Sequence, residues 1–571
     1  MPATADPAEV NRLAKALDIP NFLAKCLIAR GLETPESAKD FLAPKLKHCV
    51  PPDEMPGIAQ AAKIVGQHIL RKGRIVIFGD YDADGITAAA LLARTISAIG
   101  GLPTIFIPDR ITEGYGFTTA ALNRCLLECT PVDLIITVDC GITQSDACRE
   151  ATRQGIEVVI TDHHSITEAI PETAAAVVNP NLPGTPPPLR HLCGAGVAFK
   201  LAHQLARQAL APEDGRRLIT SLLPIVAIGT VGDLVPLVGE NRLIVSKGLE
   251  IMNQPDCGGN EGIRMLKIRA GIYGNVKASD LGFALAPRIN AAGRIGRPAT
   301  AVALLNATSN SEAKDAAKIL EKNNSDRRGE ETDALKEAHT FVATAAAAQQ
   351  ISSSIVLYHK DWHPGIIGLV ASRLVAAYGL PTVILSGGED GVARGSARCP
   401  EYDSLDLMPL LETCAPLLKR YGGHRVAAGI SLDPDLIHDF RTRFNNACDL
   451  AMNGIDRRQN IAIDAWIEPG AINETLEAML QRLEPCGMMN TIPRLGTRAL
   501  TLRKAPRCFG KNQDHWELTF LETPHRCVVF RRDSMPFKAN DCIDIVYTIS
   551  SSQYAAVQMI LKDAAYTCAP P

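Results

Sequence analysis

Apolar residues along this chain follow two alternating rhythms. Short unbroken blocks (RIVIFG, TIFIP, DLIITV, EVVIT and AAVVNP, between residues 74 and 180) are separated by longer stretches of spaced Ala, Leu and Ile (GITAAALLARTISAIG, TTAALNRCLLEC, SDACREATRQG). An unbroken apolar block suits a strand buried on both faces, and the spaced stretches suit helices. This region therefore reads as βαβ units building a mostly parallel sheet covered on both sides. Upstream, NRLAKALDI and NFLAKCLIARG read as short helices, and downstream LLPIVAIGTVG reads as another.

The rhythm changes after residue 310. Residues 311–350 hold one glycine and no proline, with charges interleaved among Ala, Ile and Leu, which predicts one long exposed helix. A second α/β pattern follows (SSIVLY, GIIGLVASRLVAAYG, PTVILS) and runs into a glycine-rich segment ending at GGHRVAAG. From about residue 457 short blocks dominate (IAIDAWI, RALTLRK, WELTFLE, RCVVFRR, CIDIVYTIS, YAAVQMIL), predicting a small barrel of the OB type. Trp466, Trp516, Phe520 and Tyr547 there are candidates for base stacking or for the barrel core. The expected division is a helical segment 1–50, a parallel-sheet domain 51–310, a helical connector 311–350, a smaller α/β domain 351–455 and a barrel 456–571.

Composition agrees with several packed domains. The chain has 571 residues, 46% hydrophobic and 21% charged, too long for one core and too apolar for extended disorder. No run approaches the ~20 uncharged apolar residues that span a bilayer. The first twenty residues mix charges and lack the apolar stretch of a secretory signal, so a cytoplasmic location is expected. Sixteen cysteines are scattered without a C-x-x-C pair, as expected for reduced thiols. With 59 basic against 62 acidic residues there is no global basic field, so a polyanion must be met by local patches. One such patch runs from Leu281 to Ala307, which has three arginines (Arg288, Arg294, Arg297) and no acid. Arg288 and Asn290 are the expected contacts to a nucleic-acid backbone.

Acids and histidines stand just beyond several apolar blocks. Asp80, Asp82 and Asp84 follow RIVIFG, Asp139 follows LIITV, Asp162, His163 and His164 follow EVVIT, and Asp233 follows LLPIVAIGTVG. In an open parallel sheet the carboxyl ends of strands share one edge, so these groups are expected to converge. So many carboxylates at one edge repel unless cations neutralise them. Carboxylates with imidazoles suit manganese, magnesium or zinc, and a surplus of ligands over one ion points to a two-ion phosphoryl-hydrolysis centre. An EF-hand is excluded: the twelfth position from Asp80 is Leu91 rather than Glu, and the loop leaves a strand. No phosphate-binding G-x-x-x-x-G-K-[ST] loop occurs, which argues against nucleotide-driven chemistry.

In this order, DYDADG, VDCG, TDHH and GTVGDLVPL resemble the motifs of the DHH phosphoesterase superfamily. DWHPGIIGLVASRL, GSAR and GGHRVAAG resemble its associated domain. PRINAAGR is similar to the linking motif of the superfamily's single-strand-specific 5′→3′ exonucleases, and the likeness extends over nearly the whole chain. The resemblance implies hydrolysis of single-stranded DNA to mononucleotides in repair and recombination, with two ions of Mn²⁺ or Mg²⁺. It implies Asp80, Asp82, Asp84, Asp139, His163, His164 and Asp233 as the metal set, with Asp139 as the bridge. Asp82, Asp84, Asp139, His163, His164 and Asp233 are the catalytic candidates. Arg110, Tyr115, Ser396 and Arg398 are implied at the terminal 5′ phosphate, and His424 beside the strand. A monomer is expected, away from membranes, with a single-strand-binding protein and a helicase as partners. One segment departs from the family: LEPCGMMNTIP has Met489 and Thr491 where a Gly-x-Gly-Asn-Pro turn has its second glycine and its proline.

Overall fold

The computed structural model describes residues 6–567 except 111–112, 168, 348–352, 389, 403–404, 456–459, 511–512, 533 and 553–554. The end of the expected connector and the start of the expected barrel segment thus lie outside the described residues.

Strands β1 (Ile75–Gly79), β2 (Pro103–Phe106), β3 (Leu134–Val138), β4 (Glu157–Thr161) and β5 (Ala176–Val178) pair in parallel in the order β2-β1-β3-β4-β5. Alternate side chains feed two layers, which is why the blocks are apolar without interruption. Val76, Phe78, Ile135 and Ile160 pack with Phe106 and Phe117 on one face. Ile77, Ile136, Val138 and Val159 face the other, against helices Ala83–Ala98, Gly194–Ala209 and Pro212–Gly232. Helix Ala83–Ala98 is buried almost all round, so it carries no polar stripe.

The long helix is Asn310–Ala347. Its first half gives Ala313, Ala316, Ala317 and Leu320 to the core of the first domain, and its second half gives Ala334, Ala338 and Val342 to the second core. Both sets follow helical spacing, so the rod is a shared wall rather than a loose tether. The second sheet comprises β6 (Ile355–His359), β7 (Thr382–Ser386), β8 (Ala393–Arg398), β9 (Arg420–His424) and β10 (Ala427–Leu432), in the order β6-β7-β8-β10-β9. Only β6 and β7 run parallel; the glycine-rich segment becomes the antiparallel hairpin β9–β10.

The last sheet contains β11 (Ala465–Trp466), β12 (Leu495–Thr501), β13 (Arg507–Phe509), β14 (His515–Leu518), β15 (Cys527–Val529), β16 (Cys542–Ser552) and β17 (Ala555–Tyr566). Its order is β11-β12-β16-β17-β15-β14-β13, and a single bridge, Leu502 to Phe520, draws the curled sheet toward closure. Phe520 and Tyr547 are core here, while Trp466 is exposed beneath the Arg498 guanidinium. The N-terminal helices Pro7–Leu17 and Asn21–Ile28 have no core of their own: Val10, Leu13, Leu23 and Leu27 share one cluster with Leu495, Leu518 and Tyr547. Too short to bury their apolar faces alone, they pack into the barrel's core. The described cysteines are free thiols. No helix among the described residues is long and apolar enough to cross a membrane.

Candidate active site

In the order β2-β1-β3-β4-β5 the connections reverse direction between β1 and β3, and a crevice opens there at the carboxyl ends of the strands. Asp80 and Asp82 leave β1, Asp139 leaves β3, and Asp162 to His164 leave β4. Asp233 arrives from the opposite side as the last residue after helix Pro212–Gly232.

The three aspartates of DYDADG divide their work. Asp82 caps helix Ala83–Ala98, its Oδ1 accepting from the N–H groups of Asp84 (2.9 Å) and Gly85 (3.1 Å). Asp84 is buried in the first turn of that helix, and its two oxygens accept from Gly194 (2.6 Å) and Ala195 (2.8 Å), at the start of helix Gly194–Ala209. Asp80 is buried with Oδ1 unpartnered. Asp139 sits at φ +61°, a left-handed conformation that Asp tolerates better than bulkier residues, with its N–H donating to Thr161 O at 2.9 Å. Gly194 makes room for it, since a Cβ at Gly194 would lie 2.5 Å from the Asp139 Cβ.

His163 Nε2 stands 3.1 Å from Asp139 Oδ1, 3.5 Å from Asp233 Oδ2 and 3.8 Å from Asp84 Oδ2. Ligand atoms converge in three overlapping groups: Asp80–Asp82–Asp139, Asp84–His163–Asp233 and Asp139–His163–His164, each within 4.8 Å. Asp139 and His163 each belong to two groups. Burial, then the neighbouring carboxylates, pushes Asp80 and Asp139 well above the ordinary carboxylate range, raises Asp82, and takes Asp233 to about 9. The same burial lowers the His163 imidazole. Asp80 Oδ1, Asp139 Oδ1 and His163 Nε2 are all buried without a hydrogen-bond partner. Polar atoms stranded together in this way are what divalent cations would satisfy, and the mixed carboxylate–imidazole set suits Mn²⁺ or Mg²⁺.

Facing the acids is a basic wall drawn from two domains. The Arg110 guanidinium lies over the Tyr81 ring, 5.0 Å from its centroid. Arg294 donates to Gly365 O (3.0 Å), and Arg398 to Ser396 Oγ (2.7 Å). Burial and then the charge of Arg110 lower both Arg294, to about 10, and Arg398, so the three guanidiniums stand close together. Gly368, in the first turn of helix Ile367–Tyr378, lets that helix approach them: a Cβ there would meet Arg398 Nη2 at 2.9 Å and Ser396 Oγ at 3.0 Å. Three guanidiniums, a hydroxyl and a helix amino end thus stand together on this side of the site, the kinds of group that phosphates favour.

The descriptions "DHH family, N-terminal domain", "DHHA1 domain" and "RecJ OB domain" match residues 74–230, 349–449 and 463–563. The chain is 34% identical over 570 residues to the single-stranded-DNA-specific exonuclease RecJ of Bacillus subtilis, covering 98% of this chain and 70% of that one. The chain belongs to the RecJ family. The crystal structure of RecJ from Thermus thermophilus in complex with Mn²⁺ superposes with a TM-score of 0.82 at 28% identity, over 99% of this chain and 79% of that one. The complex with Mg²⁺ gives 0.76 at 26% identity, over 99% and 78%.

Two residues expected at a nucleic-acid backbone have partners within the protein. Arg288 is buried and already paired: Nε meets Glu321 Oε2 at 2.5 Å and Nη1 donates to Ala284 O, so it braces the long helix. Asn290 directs its amide oxygen to the Ala83 N–H (2.6 Å), tying helix Ala286–Ile295 to the DYDADG turn. Gly293 permits that approach, since a Cβ would come within 2.4 Å of Tyr81 O. His424 lies exposed at the end of the edge strand β9. Tyr115 packs edge-on against Tyr81 and His164, with its hydroxyl 2.8 Å from His164 Nε2.

The motifs give no role to Asp162, which the structure supplies. Its Oδ1 takes the N–H groups of His163 (2.7 Å) and His164 (3.1 Å) and the His164 ring Nδ1 (2.7 Å), and its Oδ2 takes Ile142 N–H (2.9 Å). Burial opposes its charge, yet these bonds hold its pKa down, and they raise that of His164 in spite of burial. The hydrogen bond to Nδ1 fixes the His164 ring, whose Nε2 meets the Tyr115 hydroxyl beside the acids. Asn179 and Asn181 support the same loop through the His163 and His164 carbonyls. Their sequence signal was position alone: polar residues directly after β5, at the shared edge.

Proposed function

We propose that this chain is a metal-dependent exonuclease that degrades single-stranded DNA from its 5′ end to mononucleotides; the names of its RecJ relatives give single-stranded-DNA-specific exonuclease activity for them. The observation that carries the reading is the group of stranded buried atoms, Asp80 Oδ1, Asp139 Oδ1 and His163 Nε2, with the arginines Arg110, Arg294 and Arg398 gathered nearby.

Asp80, Asp82, Asp139, His163, His164, Asp84 and Asp233 would hold two ions of Mn²⁺ or Mg²⁺. When bound, such ions stabilise charge on the attacking and leaving oxygens of an in-line displacement at phosphorus. The residues do the rest. Arg398, Arg110 and Arg294 with Ser396 grip the terminal 5′ phosphate, which sets how far the strand reaches past the acids and so fixes one nucleotide per cut. Asp162 keeps His164 in the tautomer that presents Nε2. Tyr115, half-exposed and edge-on to Tyr81, is the ring available to pack on a sugar or base. The cleft between two domains braced by one helix admits a single strand and excludes a duplex sterically.

This reading has the enzyme acting as a monomer in the cytoplasm, in DNA repair and recombination, on strands exposed by a helicase and held by a single-strand-binding protein. The deciding experiment is digestion of end-labelled single-stranded DNA with Mn²⁺, Mg²⁺ or chelator, comparing 5′- and 3′-blocked ends. Activity that survives chelator, or that stops only when the 3′ end is blocked, would overturn it. Turnover confined to dinucleotides would instead favour a hydrolase of very short oligonucleotides.

A further inference from the structure

Helix Ala286–Ile295 lies against both turns that carry the acids of DYDADG and Asp233. It enters through a π turn, Leu281–Leu285, where the Ala286 N–H reaches back to Leu281 O. The extra residue in such a turn shifts the register of the helix that follows. Ala286, Asn290 and Gly293 then share one face, spaced at i, i+4 and i+7. Gly232, directly before Asp233, fits between this face and the DYDADG turn: a Cβ on it would lie 3.1 Å from Ala83 Cβ and 3.2 Å from Ala286 Cβ. Gly293 closes on the other end of the turn, where a Cβ would fall 2.4 Å from Tyr81 O. Between these two contacts Asn290 Oδ1 accepts from Ala83 N–H at 2.6 Å.

That bond completes the capping of helix Ala83–Ala98. A helix leaves its first N–H groups without partners of its own. Here Asp82 Oδ1 takes those of Asp84 and Gly85, Asp82 O takes that of Ile86, and Asn290 takes that of Ala83. Both amide bonds to the Asp82 side chain use one oxygen, so Oδ2 is not spent on the helix. Without Asn290 the Ala83 N–H would be a buried donor in need of an acceptor, and its chain neighbours Asp82 and Asp84 are the carboxylates that ions need. The turn also moves as a unit. A Cβ on Gly85 would come within 2.6 Å of Asp80 N and O, so a shift at Ala83 carries through to Asp80.

We propose that Asn290 is a positioning residue for the ion site. By capping Ala83 it keeps Asp82 Oδ2 off the helix amides, and it holds Asp80 and Asp82 where their ligand atoms meet that of Asp139 within 4.8 Å. The inference rests on the metal-dependent reading above and adds to it a residue that touches neither ion nor strand. An amide suits the task, because its oxygen accepts the N–H without adding a charge to an edge already crowded with acids. Arg294, one turn further along the same helix, belongs to the arginine group, so the strand-binding side can be read separately from the ion side.

Calorimetric titration of the full chain with Mn²⁺, without DNA, tests this apart from turnover. Asn290→Leu keeps the bulk and removes the acceptor, and should weaken Mn²⁺ binding by about 10-fold or more. Asn290→Asp restores an acceptor and should bind Mn²⁺ within about threefold of the parent. In the metal-free protein the Tm of Asn290→Leu should fall by no more than about 4 °C, because a lone hydrogen bond is lost from a large domain. Its affinity for single-stranded DNA in chelator should match the parent, since the arginines keep their places. Gly293→Ala reaches the same turn without altering Asn290: its Cβ presses on Tyr81 O, and Mn²⁺ affinity should fall there too. Parental Mn²⁺ affinity in both Asn290→Leu and Gly293→Ala would overturn the proposal. An equal loss in Asn290→Leu and Asn290→Asp would also overturn it, tracing the effect to packing and not to the acceptor. A loss of DNA affinity at parental Mn²⁺ affinity would overturn it as well and make Asn290 a contact to the strand. A parent chain that takes up neither Mn²⁺ nor Mg²⁺ would instead sink the nuclease reading, and this inference with it.

Discussion

His163 Nε2 and Asp139 Oδ1 lie 3.1 Å apart, both buried, and neither makes a hydrogen bond. Burial lowers the basicity of the imidazole and opposes charge on the carboxylate, so the two atoms need a proton or a cation to share. Such a pair is stable only with a positive centre between or beside the two atoms. The neighbouring Asp80 Oδ1 is in the same condition, which turns a local oddity into a site.

Asp139→Ala should abolish cleavage, lowering kcat by ~10³ or more, because several kcal/mol of charge stabilisation depend on the ions it helps to hold. Binding of single-stranded DNA should persist, measured by anisotropy in chelator, because the arginines stand on other elements. Binding lost in step with cleavage would mean that the strand is held largely through metal.

Asp162→Asn should leave the fold intact and reduce Mn²⁺ affinity or activity by about 10–100-fold, since it loosens His164 without removing a ligand. Titration of Mn²⁺ by calorimetry, compared with His164→Ala, checks this: a wild-type isotherm would show that Asp162 serves only the backbone of its loop.

Metal and protons compete at the same carboxylates. Asp80, Asp139 and Asp233 have folded-state pKa values above their ordinary ones, near 9 for Asp233, so the metal-free folded chain binds more protons than the unfolded chain. Their contribution to stability is complete below the ordinary value of 3.8 and declines as pH rises, for Asp233 toward about 9. The metal-free protein should therefore lose more of this contribution at pH 8 than at pH 6, and the rise in Tm on adding Mn²⁺ should be larger at pH 8. Equal thermal shifts at the two pH values would contradict the proton-loaded site.

Arg398→Lys tests the phosphate cradle. A lysine keeps the charge but loses the fork that reaches Ser396 and a phosphate together, so the preference for a 5′-phosphorylated over a 5′-hydroxyl strand should drop by about tenfold. Rates on the two substrates that remain in their wild-type ratio would remove Arg398 from that role.

Arg288→Met should behave as a stability mutation. It leaves Glu321 without its partner and should cost about 2–3 kcal/mol in urea unfolding, with DNA affinity per folded molecule unchanged. A selective loss of DNA binding at unchanged stability would restore Arg288 to the interface.

The mostly apolar blocks decided which segments became strands of the first sheet, because a strand buried on both faces has little room for charged side chains, and its buried Thr161 donates its hydroxyl to the Thr137 carbonyl. The spacing of acids just past those blocks likewise determined that one sheet edge would be crowded with ligands, and the order of the motifs carried the family. What the chain alone left open was the assignment of individual polar groups. Nothing local distinguishes Arg288, paired with Glu321, from Arg294 or Arg398, which face Arg110, because a guanidinium's partner is set by a helix tens of residues away. Asp162 and Asn290 were decided in the same way, by which backbone N–H groups the fold delivered to them. Only packing placed the short N-terminal helices against the barrel, since their apolar stripes could be covered by any apolar surface of the right size. Periodicity is a property of neighbours in sequence, whereas hydrogen-bond partners and covered surfaces are properties of neighbours in space.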